Sequence, residues 1–380
     1  MPVSWRRRAE LGALIALCFF LPLYEAPKGI AWLFYVVIWL ANRTHERNFG
    51  GRWDGWDTLI AAWLVSGFVV APFAALHGNE WRAPLDIVRY GAVLWMVKRT
   101  RFDEREIRMV LGSLLASTLV GLAMGYERIW TGKAEALSLN SVGHVNHSAI
   151  YLAIILGICV AWLFTGERWV LAGAISALIL VSVVVTESRG AVGVALATVL
   201  FLAAAYWRRS RIPILIALGV AVAFGLIAAM GGVEVLEKHE ALVKAHNPLS
   251  FRQEVWHFAL AAWQQHPWFG VGMDNFAQVV DPSRRALYPH GHNLYLNALA
   301  ERGIIGALPL FAVLIAWALA LWRRFPAAAA PSLEWILWGG AATALFVSAA
   351  VGVVNTTLHH EHGLLAALLL GLWLAHSHRR

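Results

Sequence analysis

The chain has 380 residues, of which 59% are hydrophobic and only 14% charged, with 20 tryptophans and a formal charge of +8. A soluble domain carries roughly 25% charged residues and needs them to cover its outside. So little charge excludes an ordinary cytosolic enzyme and, more firmly, a disordered chain. It points to an all-α polytopic membrane protein.

A spanning helix needs about 20 mostly apolar residues. About twelve segments qualify: 11–24, 26–41, 57–76, 83–97, 107–126, 147–164, 169–186, 189–207, 212–231, 293–321, 333–354 and 360–376. The first two and the last are short or interrupted. Trp5-Arg6-Arg7-Arg8 looks like the basic start of a signal peptide, but no small-residue cleavage site follows Leu11–Tyr24, so no cleavage is expected. Cys18 and Cys159 both lie in apolar runs and suggest no disulfide framework. No internal repeat and no low-complexity linker is evident, so 1–380 reads as one membrane domain.

Basic residues in short loops set the orientation. One set of loops holds eighteen Lys and Arg, among them Arg6, Arg43, Lys98, Arg168, Arg208 and Arg323. The opposite set holds five: Lys28, Arg82, Arg128, Lys133 and Arg189. Both termini are therefore expected in the cytoplasm, and the long loop 232–292 outside. The positive balance is a topological signal and implies no nucleic-acid partner.

In chain order, Asp86 and Arg89 stand three residues apart in the fourth span. Ionisable groups inside a membrane are functional by default, though these two can simply pair. His144 and His147 open the sixth span, where substrate lining and plain capping are both open. Arg189 lies in Ser188-Arg189-Gly190, an outward turn. A helix N-terminus there offers unpaired N–H groups, and the guanidinium adds a planar fork of donors. Together they suit a phosphate, whereas the plain alternative is an arginine reaching for lipid headgroups.

The outward loop contains an amphipathic helix expected at about 251–265, introduced by a capping box of Ser250 with Gln253. It sets Phe251, Val255, Phe258, Ala259 and Ala262 on one face and Arg252 and Trp256 on a neighbouring stripe. It either lies on the bilayer or serves a site. Gly270-Val271-Gly272 is explained by a turn. His290-Gly291-His292-Asn293 then opens the tenth span. In the first helical turn the dipole disfavours imidazolium, so His292 is either a neutral base or an interfacial cap. Near the end, His359, His360, Glu361 and His362 look like a metal cluster, with His359 and His362 on one helical face. No matching carboxylate or cysteine set accompanies them, so neither a metal nor any other cofactor is expected.

Three features together resemble the O-antigen ligases, within the wider ligase and polymerase superfamily of bacterial envelope glycan enzymes. They are Ser188-Arg189-Gly190 ahead of an apolar span; Ser250-Phe251-Arg252 leading to Trp256 and Pro267-Trp268-Phe269-Gly270-Val271-Gly272; and His292-Asn293 followed at fixed spacing by Gly303 and Gly306. The resemblance implies a GT-C-like glycosyltransferase in the bacterial inner membrane with its active site on the periplasmic side. The donor would be a glycan on undecaprenyl diphosphate, the acceptor a sugar hydroxyl of lipid A–core oligosaccharide, and the surroundings membrane lipid. Family enzymes are thought to work without a metal. Arg189, Arg252 and His292 align with the residues considered essential. His290, Asn293, Arg89, His147 and Trp256 are second-rank candidates for substrate binding.

The chemistry asks for such a set independently. Departure of a lipid diphosphate builds negative charge, which two arginines can neutralise where no Asp-x-Asp stands in an outward loop. The acceptor hydroxyl is a weak nucleophile, and a positioned base helps by roughly 10²–10⁴-fold. Direct attack opposite the diphosphate inverts the anomeric centre, and no outward carboxylate pair suggests a covalent intermediate. A polymerase of the same superfamily would use the same donor. A protein O-glycosyltransferase usually carries a further C-terminal domain. A transporter or flippase would favour repeats and broken spans in two corresponding halves.

Overall fold

A computed structural model describes residues 5–211, 214–215, 217–219, 222, 248–280, 282, 285 and 288–377; of Arg189 and residues 248–251 it describes the backbone alone. The described residues form helices and no strand. In chain order these are α1 (Trp5–Phe20), α2 (Glu25–Glu46), α3 (Gly55–Val70), α4 (Pro84–Lys98), α5 (Glu104–Trp130), α6 (Val145–Phe164), α7 (Trp169–Val185), α8 (Arg189–Tyr206), α9 (Pro248–Gln265), α10 (Leu294–Arg323), α11 (Ser332–Gly352) and α12 (His360–Ser377). Among the described residues, five segments are long and apolar enough to cross a membrane: Gly55–Phe73, Glu104–Trp130, Val145–Phe164, Leu294–Arg323 and Ser332–Gly352. The chain is thus an all-helical polytopic membrane protein. The expected ninth span, 212–231, lies for the most part outside the described residues, as does the first part of the 232–292 loop.

Helix α6 is the centre of the bundle. It is apolar all round, and α7, α8, α11 and α12 pack on it. A helix without a polar face is stable only when neighbours cover every side, and here Ala149–Ala161 is buried without a break. Close approach depends on small residues: a Cβ on Gly157 would lie 2.1 Å from the Thr343 side chain of α11.

One end of the bundle is tied by paired charge. Asp54 and Asp57 form a capping box at the start of α3, and Asp103 and Glu106 do the same for α5. Lys98 Nζ lies 2.8 Å from both Asp54 and Asp57, and Arg99 adds a bond of 3.0 Å to Asp57, whose side chain is fully buried. Arg43 meets Glu10 at 2.8 Å, and Arg7 meets Glu106 at 2.6 Å.

Several boundaries differ from the sequence expectation. Helix α9 spans Pro248–Gln265, so Ser250 lies inside the helix, and its side chain is outside the described atoms. Proline at a first helical position has its φ preset and lacks an N–H that would be unpaired there anyway. The apolar face of α9 is turned into the protein. Val255, Ala259 and Ala262 are buried against Val271, Phe276, Val280, Tyr288 and Ala300. The tenth span is not one straight rod either, because α10 is interrupted at Gly303 (φ 59°, ψ −171°).

Candidate active site

The break in α10 explains two of the sequence motifs at once. At Gly303 the helix ladder opens, and the segment Pro267–Gly272 fills the gap. Ile304 and Ile305 donate their N–H groups to the carbonyls of Pro267 (2.8 Å) and Trp268 (3.1 Å). Val271 and Gly272 in turn donate to Ala300 and Glu301, both at 2.9 Å. Non-helical backbone at membrane depth is tolerated only where its polar groups are met by protein in this way. The approach leaves no room for side chains. A Cβ on Gly303 would come within 2.3 Å of Trp268 backbone, and one on Gly270 within 2.4 Å of Glu301 backbone. Glycine is required at both for a second reason, since each has a left-handed φ.

The same segment clamps the loop between α3 and α4. Ala75 and Leu76 donate to the carbonyls of Gly270 and Val271, both at 3.2 Å. Asn275, fully buried, accepts from Asn79 N–H and donates to Leu76 O. Glu80 accepts from Gly78 N–H and from Asn275, and hydrogen bonds from backbone N–H groups hold its carboxyl down at about 2. The sequence reading did not find this clamp. Its one visible signal was the polar pair Asp274-Asn275 directly after Gly270-Val271-Gly272.

The start of α10 holds the candidate base. Asn293, not His292, is the cap: its Oδ1 accepts from Tyr295 N–H (2.9 Å) and Leu296 N–H (3.0 Å), and its Nδ2 donates to Val353 O (2.8 Å). His292 therefore lies one residue before the cap, with φ 44°, rather than in the first helical turn. Trp256 of α9 donates its indole N–H to His292 O (3.3 Å). Arg252, one turn before Trp256, is the cation acting on the His292 ring, and the Asn355 side chain hydrogen-bonds that ring. Burial first, and then Arg252, hold His292 below the ordinary histidine range. The neutral form expected from the sequence is thus favoured mainly by desolvation.

His290 is engaged differently. His292 N–H points at its Nδ1 (3.4 Å), so Nδ1 is the unprotonated nitrogen, and the Thr356 hydroxyl 3.1 Å away donates to it as well. Burial, then the neighbouring His292, push its pKa down to about 3. The two rings are 4.2 Å apart.

A groove of about 700 Å³ opens beside this loop, between α4, the 273–274 turn, the start of α10 and the 356–360 turn. Arg82, Arg89, His290, Arg302 and His360 line it, with Asp86, Asp274 and Glu301. Of the two readings of Arg89 and Asp86, the structure shows the pairing one. They form an exposed pair at 3.1 Å on the groove wall. His144 caps α6 through its Nδ1, which accepts from Asn146 N–H at 3.2 Å. His147 turns away from capping and packs on His359 and His360.

The structure thus brings Arg252, Trp256, His290, His292 and Asn293 together, with His147 next to them and Arg89 across the groove. Arg189 is the first residue of α8, at the same end of the bundle, since α6 and α8 both start there. Its side chain is outside the described atoms.

Residues 174–311 match the family model of the O-antigen ligases. That segment contains Arg189, Arg252, His292, Gly303 and Gly306. An O-antigen ligase of Pseudomonas aeruginosa is 36% identical over 133 residues, covering 34% of this chain and 30% of that relative. The matched stretch is thus about a third of either protein. Both matches show that residues 174–311 of the chain are similar to the O-antigen ligases.

Proposed function

We propose that the chain transfers a glycan from undecaprenyl diphosphate to a sugar hydroxyl of lipid A–core oligosaccharide. The observation that carries this reading is the meeting of Arg252, Trp256 and His292 beside an open groove, within the segment that matches the ligases.

The roles follow from the chemistry. Arg252 and Arg189 bind the donor diphosphate and take up the charge that develops as it leaves, so the leaving group needs no divalent ion. His292, kept neutral by burial and oriented by Asn355, takes the acceptor proton as the hydroxyl attacks the anomeric carbon. Attack on the face opposite the diphosphate inverts that centre. His290 is the weaker base, because its unprotonated nitrogen already accepts from His292 N–H and from Thr356. The groove offers Arg82 and Arg89 as further contacts for a charged glycan or lipid headgroup.

The eighteen-to-five loop asymmetry supports twelve spans, both termini in the cytoplasm, and residues 232–292 on the periplasmic side of the inner membrane. The resulting architecture is GT-C-like. Deletion of the gene in its host tests the reading. A ligase leaves finished polymer on its lipid carrier and none on lipopolysaccharide. A polymerase deletion abolishes the polymer itself, and a flippase deletion keeps lipid-linked glycan on the cytoplasmic face.

A further inference from the structure

The histidines beside the groove come from distant parts of the chain. His147 lies in the first turn of α6, His359 just before α12, and His360 at its first position. One ring nitrogen from each lies within 4.8 Å of the other two. The ring centroids are 4.8 Å (His147–His359), 4.9 Å (His147–His360) and 4.3 Å (His359–His360) apart.

Hydrogen bonding fixes which nitrogen is available. His359 Nε2 lies 2.7 Å from Thr356 O, so it must carry the proton and donate, which leaves the lone pair on Nδ1. An imidazole that donates one N–H to a backbone carbonyl has the orientation typical of a metal ligand. His147 Nδ1 is buried with no hydrogen-bond partner among the described residues. Behind the three, His362 is fully buried with both ring nitrogens in the same state. Its ring is 5.5 Å from that of His147 and 5.0 Å from that of His359. Buried polar atoms left alone cost about 1–3 kcal/mol each. Several in one place call for a further ligand.

We infer that His147, His359 and His360 bind a divalent transition-metal ion of the zinc class. Imidazole nitrogen suits this class of ion and not magnesium or calcium. A tetrahedral zinc site with bonds of about 2.0–2.1 Å sets its nitrogens about 3.4 Å apart. Side-chain rotations of about 1 Å bring the three rings to that spacing from a 4.8 Å span. The fourth position faces the groove that His359 and His360 line, and takes water or an oxygen ligand from it. The ion ties α6 to the turn before α12, which carries Asn355 and Thr356 toward His292 and His290. His359 precedes α12 rather than sharing its face with His362, and the third proposed ligand is His147, more than 200 residues away in the chain.

The test is metal content and cobalt spectroscopy on the full-length protein, purified in detergent without a polyhistidine tag and stripped with chelator. Reloading with Zn²⁺ should give about one ion per chain and raise the melting temperature. Co²⁺ should give visible d–d absorption. His360→Ala and His147→Ala should each lose most of the metal and the cobalt bands, while His266→Ala, at an exposed histidine away from the cluster, keeps both. His360→Cys, which preserves a ligand, should keep the ion and shift the cobalt spectrum. A wild type that takes up no zinc or cobalt overturns the proposal, as does uptake that is undiminished in His360→Ala. These readouts need no glycan substrate, so they stand apart from any failure of the ligase reading.

Discussion

The two ends of the bundle handle charge in opposite ways. At the end formed by the starts of α1, α3 and α5, every buried carboxylate described has a cation: Asp57 has Lys98 and Arg99, Glu10 has Arg43, and Glu106 has Arg7. At the other end, histidines from α6, from the loop before α10 and from the turn before α12 crowd together, and arginines face an open groove. Buried pairs that satisfy each other fix one arrangement of helices and have nothing left for a ligand. His290 and His292, both lowered chiefly by burial, beside arginines on a groove are the kind of perturbed set that clusters at functional sites. The first end holds the scaffold; the second is where transfer is proposed.

Substitutions at each end should separate these roles. The largest effect is expected where the site is built into the backbone. Gly303→Ala forces a Cβ to within 2.3 Å of Trp268 backbone at a left-handed φ. A loss above about 4–5 kcal/mol is expected, so the variant should fail to yield a monodisperse protein. A well-folded Gly303→Ala would mean that the break in α10 is not as described.

Next, Asp57→Ala leaves Lys98 with Asp54 alone and Arg99 with no carboxylate partner, only backbone carbonyls, and should cost about 3 kcal/mol in a thermal melt. Whatever protein folds should transfer at the wild-type rate per molecule. Arg252→Ala should do the reverse: an unchanged melting temperature and transfer lower by about 10²–10³-fold. Arg252→Lys should recover part of it, because the charge survives without the two-pronged geometry. Equal losses of stability from Asp57→Ala and Arg252→Ala would erase the contrast.

A pH profile sharpens the comparison further. The folded His292 pKa is lowered by burial, so its neutral form persists below the ordinary value of about 6.5. Transfer should hold as pH falls to about 6.5 and decline only beneath it. Stability has the same sign, since the unfolded imidazole takes up its proton first and the contribution of His292 is lost as pH drops. An acid limb of kcat/KM centred above 6.5 contradicts the assignment. The smallest effect belongs to Arg89→Ala. An exposed ion pair contributes about 0–1 kcal/mol, so the melt should not move, and transfer should change less than tenfold.

Most of the helices were legible in the sequence because apolar runs of the right length have few alternatives. The spacing from His292 to Gly303 and Gly306 was legible as a pattern, but its cause was not. It takes the folded chain to see that Pro267–Gly272 occupies the opening at Gly303. Local signals also compete: Ser250 with Gln253 spelled a capping box, yet Pro248 starts the helix earlier. His292 was placed a residue too deep, since Asn293 is the better cap. Long-range meetings left no trace. Nothing near His147 announces His359 and His360, and nothing near Glu80 announces Asn275.

The central claim is that the histidine end performs the chemistry and that His292 takes the proton. The most direct measurement sets donor binding beside transfer rate in His292→Ala, using lipid-diphosphate-linked glycan and purified protein. The account predicts donor affinity near wild type, held by the arginines, with transfer lower by about 10²–10⁴-fold and a smaller loss in His290→Ala. Transfer near the wild-type rate in His292→Ala, or a loss explained wholly by failed donor binding, would contradict it.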